Sequence, residues 1–396
     1  MASEGPLADV PIEHEEVHAE LTSDSERSTV ESNDGEDEGS IAPHVGRKIV
    51  MVTGVAGFIG SNCAERLIAR GDIVIGVDEV NDYYDVRIKR ANLERLTRIS
   101  GDSGNFRFYE GDICNVEFIT KIFEDEKPRW MLHLAARAGV RPSIDDPFVY
   151  IHSNIEATTR LLELSRKNGC EHFVFASSSS VYGGSTKSLF SETDDVSNPV
   201  SPYAATKKSC ELIGFTYNHL YQLPVAGLRF FTVYGPGGRP DMAPFKFVDR
   251  VSRGVEIQQF GDGSSSRDYT FVEDIVDGCL RTLDRPCGYQ VYNLGNGEPT
   301  RLKDFIDIVQ RCTERKAIIK ILPDQPGDVP RTCADITKAR TLLGYNPSTK
   351  FSDGMAKTVE WYKTSYAPKL EADAAKAPAS ALARPVSTLN FRSEVL

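Results

Sequence analysis

From residue 48 onward, short apolar runs rich in β-branched residues alternate with longer stretches in which apolar positions recur every three or four residues. The runs at 48–53, 73–77, 106–109, 130–134, 173–175 and 225–231 have the length of strands. The stretches at 58–70, 86–99, 117–126 and 148–167, and another that carries Tyr203, have the period of amphipathic helices. Strands and helices in alternation predict a parallel sheet covered on both faces, because each parallel connection needs a crossover and a helix commonly supplies it. After Tyr234 the texture changes to Gly235-Pro236-Gly237-Gly238-Arg239-Pro240, followed by shorter elements with glycine-rich joints at Gly261-Asp262-Gly263 and Gly295-Asn296-Gly297. This half predicts a smaller cap, with a substrate held between it and the edge of the sheet.

Both ends break the pattern. Residues 1–46 hold thirteen Asp or Glu against one Arg, a net charge of −12, whereas the whole chain carries −11, so the remainder is nearly neutral. A segment so acidic, and without apolar periodicity, cannot bury enough surface to fold and is expected to be a disordered tail. Residues 368–396, rich in Ala, Pro and Ser, are expected to be a second. A solubilising role is the plain expectation for both, with no tail partner indicated. No stretch reaches the roughly 20 apolar residues that span a bilayer, and the acidic N-terminus is unlike a secretory or transit peptide, so a cytoplasmic protein without membrane attachment is expected. The near-neutral body argues against nucleic acid as a partner. Eight cysteines include no Cys-x-x-Cys, and the seven histidines do not cluster, so neither a metal site nor a disulfide framework is expected.

Thr53-Gly54-Val55-Ala56-Gly57-Phe58-Ile59-Gly60 leaves the first predicted strand and opens the first helix, the setting that a dinucleotide-binding loop requires. Glycine permits the tight turn and the close approach of backbone to a pyrophosphate, while the helix N-terminus at Phe58 and Ile59 attracts negative charge. Asp78 ends the second strand, eighteen residues past Gly60, where a carboxylate can accept hydrogen bonds from the adenosine ribose hydroxyls. Glu79 would repel a 2′-phosphate, which favours NAD over NADP, although Arg87, Lys89 and Arg90 follow closely. Asp112, beside Ile113 after the third strand, reads equally as a clamp on the adenine amino group and as a helix N-cap. The fold expected is α/β: a Rossmann-type doubly wound parallel sheet over residues 47–235, with a smaller C-terminal α/β substrate-binding lobe over 236–367 interleaved with it.

Tyr203 and Lys207 form the chain's only Tyr-x-x-x-Lys, a spacing of about one helical turn that puts phenol and ammonium on one face. Upstream, Ser177-Ser178-Ser179-Ser180 follows the strand at 173–175, so hydroxyls are expected at its C-terminal end, where open α/β sheets bind ligands. A phenol with a pKa of about 10 is a poor base at neutral pH, short by roughly 4 kcal/mol. A neighbouring ammonium and a cationic cofactor ring would both favour the phenolate. Tyr203, Lys207 and Ser178 are thus a candidate proton-handling set.

The glycine loop, the Ser178 turn and Tyr203-x-x-x-Lys207 together resemble the extended short-chain dehydrogenase/reductase family, over residues 47–366. Members of that family modify nucleotide sugars with tightly held NAD. Five further segments resemble its branch acting on UDP-linked uronic acids. They are Asn81-Asp82-Tyr83-Tyr84-Asp85; His133-Leu134-Ala135-Ala136 with Ala138-Gly139-Val140-Arg141; Leu228-Arg229-Phe230-Phe231-Thr232-Val233-Tyr234-Gly235-Pro236; Gly238-Arg239-Pro240-Asp241-Met242-Ala243; and Gln325-Pro326-Gly327-Asp328-Val329-Pro330.

The resemblance implies an NAD-dependent 4-epimerase, an isomerase interconverting UDP-glucuronate and UDP-galacturonate through a 4-keto intermediate. It makes Tyr203 the base that takes the sugar O4 proton, puts Lys207 on the nicotinamide ribose and Ser178 on O4, and adds Asn81 and Ile113 to the cofactor set. It places Arg141 and Thr232 at the substrate, and Arg267, Asp328 and Arg331 at the UDP diphosphate and ribose. It also implies a homodimer paired through the 148–167 and Tyr203 helices. Two departures stand out: Thr232 occupies a position where galactose epimerases carry Asn, and Arg137 replaces a Gln usual beside Ala136.

Ser179 and Ser180 stand where the dehydratases of that family place an Asp-Glu pair and its decarboxylating members a Glu, so elimination is disfavoured. A uronic acid oxidised at C4 is a β-keto acid that loses carbon dioxide readily. Ser179, Ser180 and Arg239 are hypothesised to restrain its carboxylate, by hydroxyl donors and a bidentate fork. Two other functions fit the same residues: 4-epimerisation of UDP-glucose or a UDP-pentose, and a non-catalytic NAD-binding regulatory role. The latter has no use for an intact Tyr203, Lys207 and Ser178.

Overall fold

The computed structural model describes residues 39–323 and 331–370. In chain order its strands are β1 (Ile49–Thr53), β2 (Ile73–Asp78), β3 (Phe106–Glu110), β4 (Trp130–His133), β5 (His172–Ser178), β6 (Val225–Phe230), β7 (Thr232–Tyr234), β8 (Ile257–Phe260), β9 (Ser266–Phe271), β10 (Tyr289–Leu294), β11 (Pro299–Arg301) and β12 (Ile319–Leu322). Seven of them form one sheet in the order β3-β2-β1-β4-β5-β6-β10, with all neighbours parallel. A three-stranded sheet β11-β9-β7 and a parallel pair β12-β8 complete the described strands.

Alternate residues of the central strands feed two separate cores. Val50, Val52, Val74, Leu132 and Val174 pack on one face, and Met51, Ile75, Met131 and Phe173 on the other. Burial on both faces is why these strands read as unbroken apolar runs. Each fully buried aliphatic or aromatic side chain contributes about 1.5–3 kcal/mol. Direction reverses between β1, which leads to β2 and β3, and β4, which leads to β5 and β6, and this switch opens a crevice at the carboxyl ends of the strands.

The helix Phe58–Arg70 buries Cys63, Ala64, Leu67 and Ile68 as one stripe and stops at Gly71, whose φ of 94° is the left-handed cap conformation. Its bounds are those the apolar period predicts. The 148–167 stretch differs: it is the helix Pro147–Tyr150, a π-helical segment Ile151–Glu156 and the helix Ala157–Lys167. Within that segment Asn154 is buried, accepts the Arg137 N–H at 2.9 Å and donates to the Arg137 carbonyl at 3.0 Å and to Thr206 at 2.9 Å. Its wider turn goes with an inward polar residue, which an apolar period does not register.

Residues 39–46, read from sequence as part of a tail, lie against the body. Ile41 donates to the Leu342 carbonyl at 3.0 Å and packs on the core, and the His44 ring sits 4.8 Å from that of Trp130. One apolar and one aromatic contact anchor a segment whose composition is otherwise polar. Residues 367–370 continue the last helix. The rest of the two predicted tails, 1–38 and 371–396, lies outside the described residues. β10 pairs with β6, so part of the C-terminal half belongs to the main sheet.

A buried polar network ties the helix Pro202–Tyr221 to that sheet. Glu211, on the helix, accepts from the Nε and Nη2 of Arg229 in β6, both at 2.9 Å, and from the Ser177 hydroxyl in β5 at 2.6 Å. Arg229 also donates to the Tyr182 hydroxyl at 3.0 Å, which donates to Asn293 in β10 at 2.7 Å. Glu211 and Arg229 are 1% and 3% exposed. Burial opposes the carboxylate, yet the Arg229 guanidinium prevails and holds the Glu211 carboxyl below its ordinary value. Replacing Glu211 with Gln leaves an uncompensated buried guanidinium, and denaturant unfolding is expected to show a loss of about 3–5 kcal/mol. A double replacement of both partners by Met is expected to lose less; an equal or larger loss would contradict the account.

Two buried histidines couple the fold to pH. His133 lies between the hydroxyls of Thr53 at 2.7 Å and Thr158 at 3.0 Å, and burial, helped by nearby Lys207, pushes its pKa down to about 3. His172 bonds the Leu283 carbonyl at 3.0 Å, and burial pushes it down to about 4. Both folded values lie below the ordinary 6.5, so the stability they carry is complete above 6.5 and is lost as pH falls towards the folded values. His172→Asn keeps a donor for Leu283 and removes the titration. Between pH 6.5 and 4.5 its stability should therefore fall less steeply than that of the parent, by about 1.4 kcal/mol per pH unit. Parallel slopes would refute this.

Candidate active site

A cleft of about 420 Å³ opens where the sheet switches direction, and its lining joins the glycine loop to the Tyr203 helix. All the sequence-predicted cofactor residues line it: Gly54, Gly57, Phe58, Ile59, Gly60, Asp78, Asn81, Asp112, Ile113 and Lys207. Gly54 has φ +70°, and a Cβ there would stand 2.7 Å from the Ala135 nitrogen; at Gly60 a Cβ would lie 2.1 Å from the Gly54 carbonyl. Neither position admits a side chain. Gly57 caps the Phe58–Arg70 helix with no side-chain bond, which leaves the first-turn N–H groups to an anionic ligand.

The Asp78 carboxylate accepts from Ala56 N at 3.0 Å and Val80 N at 2.8 Å, bridging the loop to the end of β2. Burial pushes its pKa up against those N–H bonds and Lys89. Each oxygen keeps a free lone pair for a ribose hydroxyl. The cations that left the cofactor open are engaged: Arg87 with Asp85, Arg90 with Glu110, and Lys89 with the carbonyl and side-chain oxygen of Asn81, both at 2.8 Å. None of these bonds leaves a cation dedicated to a 2′-phosphate, so the pocket fits NAD.

Asp112 is not the helix N-cap that one reading gave it. Asn115 fills that role, accepting from Phe118 N at 3.1 Å, because it stands directly before the helix Val116–Glu126. Asp112 instead accepts from Cys114 N at 2.8 Å and pairs with His152 at 3.0 Å. Asp112, Cys114 and His152 bring a carboxylate, a thiol and an imidazole within 4.8 Å of one another, a grouping that no sequence spacing announced. Glu156 takes the other nitrogen of His152 at 3.0 Å, so an ion-pair chain accounts for the cluster.

Across the cleft, Tyr203 opens the helix Pro202–Tyr221, whose N-cap Ser201 accepts from Ala204 N at 3.1 Å. Lys207 follows one turn later, with its ammonium on the Ala176 carbonyl at 2.8 Å. Ser178 ends β5, bonds the Ser180 hydroxyl at 2.9 Å, and lines the cleft with Tyr203. The three predicted catalytic groups therefore meet on one wall. Their electrostatics differ from expectation. Burial pushes the Tyr203 pKa up, opposed by the Ser178 hydroxyl and by Arg239 rather than by Lys207, and burial lowers the pKa of Lys207 itself. The Lys207 charge is engaged by the Ala176 carbonyl.

Ser179, Ser180, Thr232 and Arg239 also line the cleft. The Arg239 fork grips Asp241 at 3.0 and 2.5 Å, reaches the Ala138 carbonyl at 3.3 Å and lies 5.4 Å from the Tyr83 ring. Arg141, Arg267 and Arg331 stand outside this lining: Arg141 lies 5.8 Å from the Phe260 ring, Arg267 donates to the Ser266 carbonyl at 3.0 Å, and Arg331 bridges to Ser266. Asp328 lies outside the described residues. Lining residues not assigned from sequence include Tyr83, Tyr84, Arg137, Ala138 and Met242. For Arg137 and Ala138 a signal existed, since the loop after a central strand ends at the switch point.

Residues 51–358 match the family model described as GDP-mannose 4,6 dehydratase. A UDP-glucuronate 4-epimerase of Thermodesulfobacterium geofontis is 45% identical over 314 residues, covering 79% of this chain and 95% of its own. UDP-glucuronate 4-epimerase 4 of Arabidopsis thaliana is 45% identical over 337 residues, 80% of this chain and 76% of its own. A crystal structure of UDP-glucuronic acid 4-epimerase from Bacillus cereus, in complex with UDP-glucuronic acid and NAD, has a TM-score of 0.75 at 33% identity, covering 80% of this chain and all of the other. The family model takes its description from an elimination reaction, for which Ser179 and Ser180 offer no carboxylate, whereas the relatives just named carry out none by their descriptions. The chain belongs to the family of the GDP-mannose 4,6 dehydratase model, on the side of its UDP-glucuronate 4-epimerases.

Proposed function

We propose that this chain is an NAD-dependent UDP-glucuronate 4-epimerase, interconverting UDP-glucuronate and UDP-galacturonate through a 4-keto sugar. One observation carries the reading: Tyr203, Lys207 and Ser178 meet across the cleft from a glycine loop fitted to a dinucleotide, while Ser179 and Ser180 occupy the positions where elimination would require acids. The names of the relatives support the same substrate.

A bound NAD, held by the glycine loop, Asp78 and Lys207, would supply reversible hydride acceptance at C4. The residues of the chain do the rest. Tyr203 takes the O4 proton and later gives it back, and Ser178 steadies O4 by a hydrogen bond. Lys207, buried behind Tyr203, is placed to hold the nicotinamide ribose. Arg239, Ser179 and Ser180 face the uronate carboxylate and keep it from aligning with the C4 ketone for loss of carbon dioxide, with Thr232 on the same wall. Arg141 is assigned to the substrate, Arg267, Asp328 and Arg331 to its UDP moiety, and residues 236–367 to the lobe that closes over it. Among the described residues no helix is long and apolar enough to cross a membrane, and the assigned location is cytoplasmic.

A homodimer completes the reading. Phe148, 78% exposed, and Leu212, 56% exposed, stand on the Pro147–Tyr150 and Pro202–Tyr221 helices, which contact one another, and Ile151 and Phe215 extend this apolar face. A patch of that kind on neighbouring helices fits a two-fold pairing. Sedimentation of the full chain at micromolar concentration should give a dimer, and Leu212→Glu should shift it to monomer. A monomeric parent would refute the assembly.

Purified protein incubated with UDP-glucuronate and no added NAD should yield UDP-galacturonate and no pentose. Tyr203→Phe should lower turnover about 100-fold or more while the protein keeps its cofactor. Arg239→Ala should release UDP-pentose. Full turnover by the phenylalanine variant would remove Tyr203 as the base, and absence of any epimer in the parent would remove the activity.

A further inference from the structure

The cations lining the cleft are not equivalent. Lys207 is satisfied by the Ala176 carbonyl, Lys89 by Asn81 and Arg239 by a two-point grip on Asp241. Arg137 has none of this. Among the described residues its guanidinium has no carboxylate or hydrogen-bond partner, and it lies over the Tyr83 ring, 4.9 Å from the ring centroid. Its backbone is nonetheless clamped on both sides, N–H and carbonyl, by the buried side chain of Asn154 at 2.9 and 3.0 Å. The result is a fixed, half-buried cation with an unused planar fork, facing a cleft.

The same Tyr83 ring lies 5.4 Å from Arg239, so two guanidinium groups share one aromatic support. Tyr83 is itself held by its hydroxyl on the Ala138 carbonyl. Asp241 neutralises Arg239, but among the described residues no ion pair of that kind neutralises Arg137. Acidic side chains of the lining, Asp78, Glu79 and Asp112, come from the ends of β2 and β3 at the adenosine side. A guanidinium partly withdrawn from water gains most from an anionic oxygen pair that matches its fork.

We infer that Arg137 is a specificity-determining residue that binds an anionic oxygen group of the ligand, the C6 carboxylate of the UDP-uronate. This rests on the substrate reading above. Arg137 then distinguishes an acidic sugar from a neutral one, and the Tyr83 ring between the two guanidinium groups sets where that acid sits. The diphosphates of substrate and cofactor carry the same chemistry, and the test separates them from the carboxylate.

The experiment measures binding, so it does not depend on turnover. NAD-loaded parent, Arg137→Gln and Arg137→Lys are titrated calorimetrically with UDP-glucuronate, UDP-glucose and UDP, and the NAD content of each protein is determined after isolation. Arg137→Gln keeps a planar hydrogen-bonding group, on a shorter side chain, and removes the charge. The expected result is a loss of tenfold or more in affinity for UDP-glucuronate, with UDP-glucose, UDP and NAD content unchanged. Arg137→Lys, which keeps the charge without the fork, should fall between. An equal loss for all three ligands would move Arg137 to the UDP diphosphate, and a drop in NAD content would move it to the cofactor diphosphate. Either outcome, or no change at all, overturns the carboxylate assignment. Failure of the epimerase reading would show separately, as absence of turnover in the parent.

Discussion

The buried pair between Glu211 and Arg229 is the constraint on which the site depends. Tyr203, Lys207 and Glu211 succeed one another at four-residue intervals on the inward stripe of a single helix, and all three are buried. Glu211 is the part of that stripe locked to the sheet, through Arg229 in β6 and Ser177 in β5. Because the helix is stiff, fixing Glu211 fixes the axial position and rotation of the two residues above it. Ser177 also immediately precedes Ser178, so the same carboxylate positions both the strand end and the helix that face each other across the cleft. An ion pair withdrawn this far from water adds little net stability over apolar packing. Its use is geometric: apolar packing would let the helix slide by fractions of a turn, whereas a two-point bond to a guanidinium fork does not.

The electrostatics of Tyr203 derive from that burial. A phenol enclosed on one wall of the cleft resists ionisation, and the Ser178 hydroxyl and the Arg239 charge only partly oppose the effect. Lys207 contributes less than its spacing suggests, because its ammonium is turned to the Ala176 carbonyl. In the proposed reaction the base is therefore latent in the protein alone. A positive ring brought into the same enclosure acts at short range in a low dielectric and favours the phenolate. In the proposed function the basicity of Tyr203 would thus depend on occupancy of the cofactor site.

Much of this was legible in the chain. Most strand and helix bounds of the first half match the apolar period to within a residue or two, because strands buried on both faces and helices buried on one have unmistakable periods. The exceptions are β5, which runs three residues past the predicted 175, and the divided 148–167 stretch. The glycine loop was legible for a different reason: Gly60 has no room for a Cβ against the Gly54 carbonyl, so the residue type itself records the geometry. The illegible parts depend on contacts between distant residues. The π-helical segment at Ile151–Glu156 goes with Asn154 reaching the Arg137 backbone; Asn115 rather than Asp112 caps its helix because the helix begins at Val116; and Ile41 docks through a contact with Leu342. The pairing of Arg239 with Asp241 lies only two residues apart in sequence, yet only the fold shows that the fork is engaged.

The choice between reactions also turns on charge placement. Oxidation at C4 makes the neighbouring positions of the sugar reactive, and the fate of the ketone depends on which acids or bases lie within reach. Here the strand end presents hydroxyls from Ser178, Ser179 and Ser180, which can donate and accept hydrogen bonds but cannot act as carboxylate bases at neutral pH. The cationic groups Arg137 and Arg239 share the Tyr83 ring, and in the proposed function they favour an anionic sugar. In the proposed reaction, a site that offers no carboxylate at the dehydratase positions and restrains the acid group would leave the ketone one productive course, which is to be reduced again.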